Sequence, residues 1–501
     1  MTKEMRIRDA IHGDIRLPVE LQSVVKSKYF QRLRRIKQNG LLYLVFPGMQ
    51  HTRFEHSVGA AHLAGRRYQS LVSVMSNGHL KFFEEVEKMR GEDNLVLELQ
   101  ETHRLMKSLS ATRELDRAWG LRVMLAGLCH DIGHGPFSHV FEELGLLKRS
   151  DFLGGARIND ELVRGFWDKS NKGLTHEDIT LVYLDQIFHD PSVKLSPIKS
   201  PIDLALVCAL IHKDFREYYL SRKPLPLDDE AKILMLLAPI VSGLFDVDRC
   251  DYLLRDSQMA GVTYGKIDLP RLTDEVHTCL ATSYGKASVV ALTRPRNVHL
   301  LDHFLVSLFE MYTQLYMHHA NLRLQHELHM AIQSEPSLAD GVDFGWHVEA
   351  GDDSMVQGLH SALRSVVRDS FSRRNRDDAK VTRQILKAPS SLRARMQNEG
   401  WTFLPVKPRG MVKDCQPVFL VEHLGTDSLD ACNGLCVDDR VRVVSWKVAS
   451  LVAAKLEGVE HDSELWWRNT KFTKALDEAK QEIANEVSNQ VEAQAGVPEA
   501  G

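Results

Sequence analysis

The chain has 501 residues, of which 44% are hydrophobic and 26% are charged, and its formal net charge is −4 at pH 7. This composition is typical of a globular protein with a large core, and it excludes an intrinsically disordered chain. The slightly acidic balance also excludes a general attraction to nucleic acid, so such binding would need a local basic patch.

The longest apolar stretch is too short to span a membrane. It covers residues 233–245 and is interrupted by Pro239, whereas a spanning helix needs about 20 apolar residues. Residues 1–15 contain no apolar segment of the kind found in secretory signals. The cysteines are scattered, and CNGLC at 432–436 has no second pair that would complete a zinc site. We therefore expect an intracellular protein, cytoplasmic or nuclear, without membrane contact and with free thiols.

The hydrophobic pattern predicts helices over most of the chain. The first residues alternate like a β-strand, and the helical period dominates from about residue 17 to 335. Residues 333–346 have the composition of a loop. Short strands are predicted at 401–406, 416–424 and 439–446. A helix is then predicted at 447–458, and a final amphipathic helix is marked by Leu465, Phe472, Leu476, Ala479 and Ile483.

These elements predict a mainly α protein with a smaller C-terminal unit. The helical core would occupy residues 1–345. A charged helical linker region would follow at 346–400, and a small mixed α/β unit with a C-terminal helix at 401–485. Residues 486–501 are predicted to be a frayed tail.

One predicted helix ends in an unusual polar cluster. Residues 128–139 read LCHDIGHGPFSH, in which two glycines and a proline break the helix directly after His130 and Asp131. A new helix beginning near Phe137 would place His139 and Glu142, three residues apart, on one face. The side chains here that can bind a metal or move a proton are His130, Asp131, His134, His139 and Glu142.

Two other predicted helices offer matching chemistry. They carry Arg53 and His56 in HTRFEHSVG, and Asp248, Tyr252 and Asp256 in DVDRCDYLLRD. The second set falls at i, i+4 and i+8, so its members share one helix face. Two imidazoles and two carboxylates, from His56, His130, Asp131 and Asp248, suit Fe, Mn or Zn and leave coordination positions open.

In this order the motifs resemble a known enzyme family. The H…HD…D pattern resembles that of the HD-domain metal phosphohydrolases, which are helical. AIHGDI, FQRLRRIKQ, VFPG, RFEHSVG, AGLCHDIGHGPFSH, THE and DVDRCDY resemble the deoxynucleoside triphosphate triphosphohydrolases, and most of all the catalytic core of members with a sterile-alpha-motif domain. The resemblance covers roughly residues 5–330. It implies hydrolysis of dNTPs to deoxynucleoside and tripolyphosphate.

The resemblance also implies a role for particular residues. The metal ligands would be His56, His130, Asp131 and Asp248, and the catalytic groups would be His134, His139, Glu142 and His176. Phosphate contacts would fall on Arg53, Arg249 and Tyr252, and sugar and base contacts on Gln38, Asp256 and Tyr316. Gln31 and Arg34 match an allosteric site at which a nucleotide bridges subunits of a dimer or tetramer. Mg is implied with the substrate phosphates.

The chain departs from the family pattern at four positions. Glu142 stands for an Asp and Arg249 for a Lys, and both keep the charge. Leu308 stands for an Arg that binds triphosphate, so one phosphate clamp is missing. Lys26 stands for an Asp that reads guanine, and an ammonium cannot accept hydrogen bonds from guanine. We therefore expect either another nucleotide activator or constitutive activity.

A basic run lies between residues 26 and 37. It contains Lys26, Lys28, Arg32, Arg34, Arg35 and Lys37. A solvated helix face and an anion site between subunits both fit this pattern. Nucleic acid is a weaker candidate partner, because Tyr29 and Phe30 are the only aromatic residues interleaved for stacking.

Two other functions remain open. One is an HD phosphatase or phosphodiesterase that acts on nucleoside monophosphates or nucleic-acid ends, which the Leu308 substitution favours. The other is a weakly catalytic nucleotide or single-strand binder, which the intact set of metal-binding residues argues against.

Overall fold

The protein is described here from a computed structural model. The described residues are 4–76, 95–143, 147–154, 156–170, 172–283, 286–293, 297–318, 320–322, 324–325, 328 and 342–352, and the strands within 380–468. This part of the chain is mainly α-helical, as the sequence predicted.

The described helices occur in the following order along the chain. They are α1 Gln22–Lys26, α2 Lys28–Gln31, α3 Arg53–Ser76, α4 Leu99–Ser110, α5 Arg113–Cys129, α6 His139–Glu143, α7 Arg149–Phe152, α8 Glu161–Lys169, α9 His176–His189, α10 Pro201–Ile211, α11 Lys213–Leu220, α12 Asp229–Val241, α13 Val247–Ala260, α14 Leu269–Glu275, α15 Val298–Glu310 and α16 Phe344–Glu349. Short 3-10 turns cover Val19–Leu21, Arg32–Arg35 and Gly40–Leu44, and a π-helical turn covers Met311–Tyr316.

The strands form small sheets. They are β1 Met5–Asp9, β2 Gly13–Leu17, β3 Leu95–Leu97, β4 His277–Ser283, β5 Lys286–Thr293, β6 Lys380–Gln384, β7 Thr402–Pro405, β8 Val418–His423, β9 Cys436–Asp438, β10 Val441–Trp446 and β11 Glu464–Arg468. β1 and β2 form an antiparallel hairpin. The other sheets have the orders β3-β4-β5-β8-β10-β9 and β6-β11-β7.

Small residues let two long helices pack closely. α3 lies against α5, and a Cβ added to Gly127 of α5 would lie 2.9 Å from the Cβ atom of Ala64 and 3.0 Å from the Ala60 carbonyl oxygen. A larger side chain at position 127 would force the helices apart. The close contact brings the first turn of α3 next to the end of α5, where the predicted metal ligands lie.

The predicted elements match the structure unevenly. The strands predicted at 401–406, 416–424 and 439–446 correspond to β7, β8 and β10. Leu465 was assigned to a final helix, and this was wrong, because it lies in β11, where Trp466 and Trp467 favour extended backbone. Residues 447–458 and 472–483 lie outside the described residues.

The region around the predicted domain boundary also differs in detail. α16 begins inside the segment predicted to be a loop, because Asp343 caps it. β6 lies within the predicted helical linker, so at least Lys380–Gln384 is not helical. β5 pairs in parallel with β8, so one sheet contains strands from both predicted units. The domain limits themselves stay a prediction. Within the described residues, no helix combines the length and apolar character that a membrane crossing requires.

Candidate metal centre

Three helix ends bring the predicted metal ligands together. His56 lies in the first turn of α3, and Asp248 lies in the first turn of α13, which Asp246 caps. His130 caps the end of α5 and is followed by Asp131. Because α3 packs against both α5 and α13, these four side chains converge although they are far apart in sequence. We call His56, His130, Asp131 and Asp248 the metal quartet.

The spacing of the quartet matches the coordination sphere of one ion. Nε2 of His56 lies 3.0 Å from Oδ1 of Asp248 and 3.3 Å from Oδ2 of Asp131. Nε2 of His130 lies 3.2 Å from Nε2 of His56 and 3.5 Å from an oxygen of each carboxylate. A metal bound at about 2.1 Å places adjacent ligand atoms about 3.0 to 3.4 Å apart. These residues therefore fit a divalent transition metal.

Three of the quartet residues are buried, the Asp248 side chain is 34% exposed, and the group is strongly polarised. Burial would lower the pKa of His56, but Asp131, Asp248 and Asp251 together raise it well above its ordinary value. Burial likewise opposes ionisation of Asp248, yet both quartet imidazoles hold the pKa of this carboxyl far below its usual range. Buried carboxylates that face imidazole nitrogens are the environment expected where a cation binds.

The turn after Asp131 is shaped by close backbone contacts. A Cβ at Gly133 would lie 2.0 Å from the carbonyl oxygen of His176, so only glycine lets α9 approach this turn. Phe137 and Ser138 adopt positive φ values of 59° and 58°, which non-glycine residues seldom do. Strained backbone of this kind is common at functional sites, and here it lies directly before α6, beside the quartet.

Arg53 links this turn to the quartet. Its Nη1 atom donates to Oδ2 of Asp131, and its Nε atom donates to Oγ of Ser138 at 3.0 Å. Its Nη2 atom donates to the carbonyl oxygen of Gln38 at 3.2 Å. The guanidinium, predicted to contact phosphate, thus also holds a quartet carboxylate in place.

A second group of side chains lies beside the quartet. We call His134, His139, Glu142 and His176 the histidine cluster. Nε2 of His134 lies 3.4 Å from Oδ1 of Asp131, and its Nδ1 atom lies 3.3 Å from Oε1 of Glu142. Its ring stacks on that of His176 at 3.8 Å. In each of the two groups, the candidate ligand atoms lie within 4.8 Å of one another.

The members of the histidine cluster differ in protonation. Burial lowers the pKa of His134 to about 3, and Arg53 acts in the same direction, so this imidazole is neutral at pH 7. Burial would also lower the pKa of His176, but the charge and hydrogen bond of Glu142 outweigh it and raise that pKa to about 9. Burial opposes ionisation of Glu142, yet His176 leads the imidazoles that hold its pKa far below the ordinary range. The cluster therefore contains a neutral imidazole, an imidazolium and a carboxylate.

The predicted sugar and base contacts are also held in place. Oδ1 of Asp256 is 2.7 Å from Nε2 of His51, and Oδ2 accepts a hydrogen bond of 2.7 Å from the Tyr316 hydroxyl. The rings of Tyr252 and Tyr316 meet edge to face at 6.0 Å. The side-chain oxygen of Gln38 is buried and has no hydrogen-bond partner among the described residues.

Arg249, another predicted phosphate contact, is engaged within the protein. Nη1 of Arg249 donates to the Gly243 carbonyl oxygen at 2.7 Å and to the Asp246 carboxylate, so this guanidinium folds back onto its own helix end. Leu308 is fully buried in the core and supplies no charge.

The basic run is split between surface and interior. Nε of Arg34 donates to Oε1 of Gln31 at 3.0 Å, and both residues lie on the surface side with the exposed Lys26. Arg32 is only 1% exposed and donates to the Tyr183 hydroxyl and to the His134 carbonyl oxygen. The run is therefore not a uniformly solvated face, because Arg32 supports the turn that carries His134.

Sequence reasoning missed a set of buried partners behind the quartet. Asp251 contacts His56 and Arg255, and two residues of the N-terminal hairpin, Asp9 and His12, join them. One local signal was present, because Asp251 and Arg255 have opposite charges at i and i+4 on α13. The contacts with the hairpin have no local signal.

A family model described as the HD domain matches residues 103–237. The chain therefore contains an HD domain. The matched range includes His130 and Asp131 of the quartet and the whole histidine cluster, whereas His56 and Asp248 lie outside it.

Known proteins similar to the chain include both characterised and uncharacterised relatives. An uncharacterised protein of Methanocaldococcus jannaschii is 30% identical over 312 residues, which are 62% of this chain and 46% of that protein. Deoxynucleoside triphosphate triphosphohydrolase SAMHD1 of Homo sapiens is 30% identical over 265 residues, 51% of this chain and 33% of that protein. The SAMHD1 homolog of Dictyostelium discoideum is 32% identical over 255 residues, 51% of this chain and 36% of that protein.

The chain spans from a third to just under half of the length of these curated relatives. Their similarity confirms the resemblance to the HD-domain triphosphohydrolases that the motifs indicated. The fold is also similar to the crystal structure of a hypothetical protein from Aquifex aeolicus, with a TM-score of 0.56 and 22% identity over 94% of this chain and 97% of that one.

Proposed function

We propose that the protein hydrolyses deoxynucleoside triphosphates to deoxynucleoside and tripolyphosphate in a metal-dependent reaction. The observation that carries the proposal is the position of the histidine cluster directly beside the metal quartet, with His134 lying 3.4 Å from Asp131 and 3.3 Å from Glu142. A cation site next to proton-transferring groups is the arrangement that hydrolysis of a phosphate ester requires.

The metal quartet would hold a divalent transition metal, Fe, Mn or Zn, and Mg would accompany the substrate phosphates. Such an ion supplies positive charge for phosphate oxygens and lowers the pKa of water. The mixed imidazole and carboxylate donor set suits these metals. Arg53 keeps Asp131 oriented, and Gly133 lets the turn that bears these ligands pack against α9.

The histidine cluster would perform the proton chemistry. His176 stays an imidazolium at neutral pH because of Glu142, so it would stabilise charge on the phosphate oxygens. His139 would protonate the leaving 5′-oxygen, since its side chain is 54% exposed and can exchange protons with solvent. His134, neutral and buried, would orient the groups on either side of it.

The substrate would be held by residues from several elements. Arg53, Arg249 and Tyr252 would contact phosphate. For this, the Arg249 guanidinium would have to give up part of its ion pair with Asp246. Gln38 would offer its unpaired side-chain oxygen to the nucleotide, and Asp256 would accept a hydrogen bond from the 3′-hydroxyl. Tyr316, hydrogen-bonded to Asp256, would crowd the 2′ position and favour deoxyribose.

We propose further that the protein acts as a homo-oligomer, a dimer or tetramer, with an anion site near Gln31 and Arg34 between subunits. The relatives named SAMHD1 support the dNTP substrate.

A second candidate function is that of an HD phosphatase or phosphodiesterase. The uncharged, fully buried Leu308 favours it, because a shorter phosphate chain needs fewer positively charged contacts.

Product identification with each dNTP tests the proposal. The metal-loaded protein should release deoxynucleoside and tripolyphosphate, whereas orthophosphate would indicate the phosphatase, and binding without turnover would indicate a nucleotide binder. The double variant His130→Ala with Asp131→Ala should lose both metal and turnover while keeping its helical circular dichroism. The chain offers a matched control in another HD dipeptide, since His189→Ala with Asp190→Ala makes the same change at the end of α9, outside the quartet. Full activity in the metal-free first variant would contradict the proposed centre.

A further inference from the structure

Asp251 lies behind the metal quartet and touches one of its ligands. It follows Asp248 by one turn on α13, and its Oδ2 atom is 2.7 Å from Nδ1 of His56. An ionised carboxylate can only accept, so Nδ1 of His56 donates the hydrogen bond. This fixes the tautomer in which Nε2 of His56 presents its lone pair to the quartet.

Asp251 is itself held by groups from two elements. Its carboxylate accepts hydrogen bonds of 2.8 and 2.9 Å from Nε and Nη2 of Arg255, and its Oδ1 atom is 2.6 Å from Nε2 of His12. Nη1 of Arg255 donates at 2.8 Å to Asp9. Asp251 and Arg255 are fully buried, so no water competes for these contacts.

The network extends into the hairpin formed by β1 and β2. Asp9 is the last residue of β1, and its Oδ1 atom accepts hydrogen bonds of 2.9 Å from the backbone N–H groups of Ile11 and His12. These bonds hold the tight turn that aims the His12 ring at Asp251. A chain of contacts therefore runs from the hairpin turn to His56.

The packing of α3 leaves space for this network. A Cβ added to Gly59, one turn after His56, would lie 2.0 Å from Oδ1 of Asp251 and 2.5 Å from Nη2 of Arg255. Only glycine at this position lets both charged groups approach α3.

We propose that Asp251 is a positioning residue for the metal centre, and that His12 and Asp9 of the N-terminal hairpin help to hold Asp251 in place. Asp251 keeps His56 in the orientation and tautomer that bind a cation and increases its strength as a ligand. The hairpin, remote in sequence from every quartet residue, then contributes directly to metal affinity. The inference rests on the proposed metal centre but not on the identity of the substrate.

Metal affinity of the full chain, measured with Mn²⁺ against a chelator of known affinity and without nucleotide, tests this role. Asp251→Asn should weaken Mn²⁺ binding about 10- to 100-fold, the usual effect of losing such a partner. Excess Mn²⁺ should restore occupancy, because all four ligands remain. Asp203→Asn is the matched control, since Asp203 is also buried and accepts from an arginine, Arg122, at 2.8 Å, but has no contact with the quartet. It should lower the unfolding midpoint without changing Mn²⁺ affinity.

The hairpin provides a second, milder test that does not depend on the folding of Asp251→Asn. His12→Ala should weaken Mn²⁺ binding, whereas His12→Gln, which keeps a donor for Asp251, should largely preserve it. Unchanged affinity in both Asp251→Asn and His12→Ala would overturn the inference, as would absence of Mn²⁺ binding by the unmodified protein. A protein that binds Mn²⁺ as described but releases no tripolyphosphate would contradict the proposed substrate and leave the role of Asp251 standing.

Discussion

His176 and Glu142 form the tightest hydrogen bond of the histidine cluster, with Nδ1 and Oε1 2.7 Å apart. The same carboxylate oxygen lies 3.7 Å from Nδ1 of His139. The sequence placed His139 and Glu142 on one helix face, and the structure shows that Glu142 contacts His176 more closely. The Glu142 carboxylate, which lies so close to His176, stabilises the protonated form of this imidazole.

Glu142→Gln should therefore change the pH dependence of hydrolysis. In the unmodified protein His176 stays protonated through neutral pH, and its charge is lost as the pH rises through about 9. Without the carboxylate, its pKa should fall towards or below the ordinary value of about 6.5. The alkaline limb of the pH profile of kcat/KM should therefore also shift to lower pH. Glu177→Gln, on the next residue of α9, serves as the control and should shift the limb much less. Identical profiles for the unmodified protein and Glu142→Gln would remove His176 from the reaction.

His139→Ala should lower kcat by about 10²- to 10⁴-fold, the usual contribution of a general acid. The affinity for nucleotide should change far less, because the half-exposed ring makes few contacts that binding would need. Steady-state kinetics and direct binding measurements separate the two effects. His189→Ala, at the exposed end of α9, provides the comparison. A loss of affinity with normal kcat would assign His139 to substrate binding.

The unmodified protein should cleave dNTPs in preference to NTPs, and Tyr316→Ala should admit NTPs. With the proposed sugar contacts, the Tyr316 ring, held by its hydrogen bond to Asp256, would fill the space at the 2′ position, and its removal would open that space. Tyr316→Phe keeps the ring and loses the hydroxyl, so it should still exclude ribose. Competition between dATP and ATP measures the preference. Equal rates with the unmodified protein would refute the assignment of the sugar contacts.

Activity should not depend strictly on GTP. Lys26 is exposed at the end of α1 and offers no acceptor to guanine. Losing a bidentate contact of this kind should reduce discrimination by about 1 to 3 kcal/mol, or about 5- to 150-fold. Hydrolysis of a single non-guanine dNTP with and without GTP tests this, and Lys26→Ala reports whether the side chain matters. An absolute requirement for GTP would show that other residues read guanine.

Local patterns in the sequence predicted the fold class and singled out the four side chains that the structure brings together in the quartet. Helical periodicity shows which face of a helix is apolar, and glycine and proline show where a helix ends. His130 and Asp131 could therefore be placed at a helix end, and the positions of β7, β8 and β10 along the chain followed from short apolar runs. The same reasoning failed at Leu465, because a single residue at helical spacing says little when aromatic neighbours favour a strand.

The partners of those residues depended on the tertiary structure. The contact between His12 and Asp251 joins residues 239 positions apart, and that between His56 and Asp251 joins residues 195 apart. Such contacts arise from the packing of α3 against α13 and the hairpin, and periodicity within one helix carries no information about which helix it will meet. The same reason explains why Arg32, one of several similar cations in the basic run, is buried beneath His134. The sequence determined which side chains could bind a metal, and only the packing decided which buried groups hold them in place.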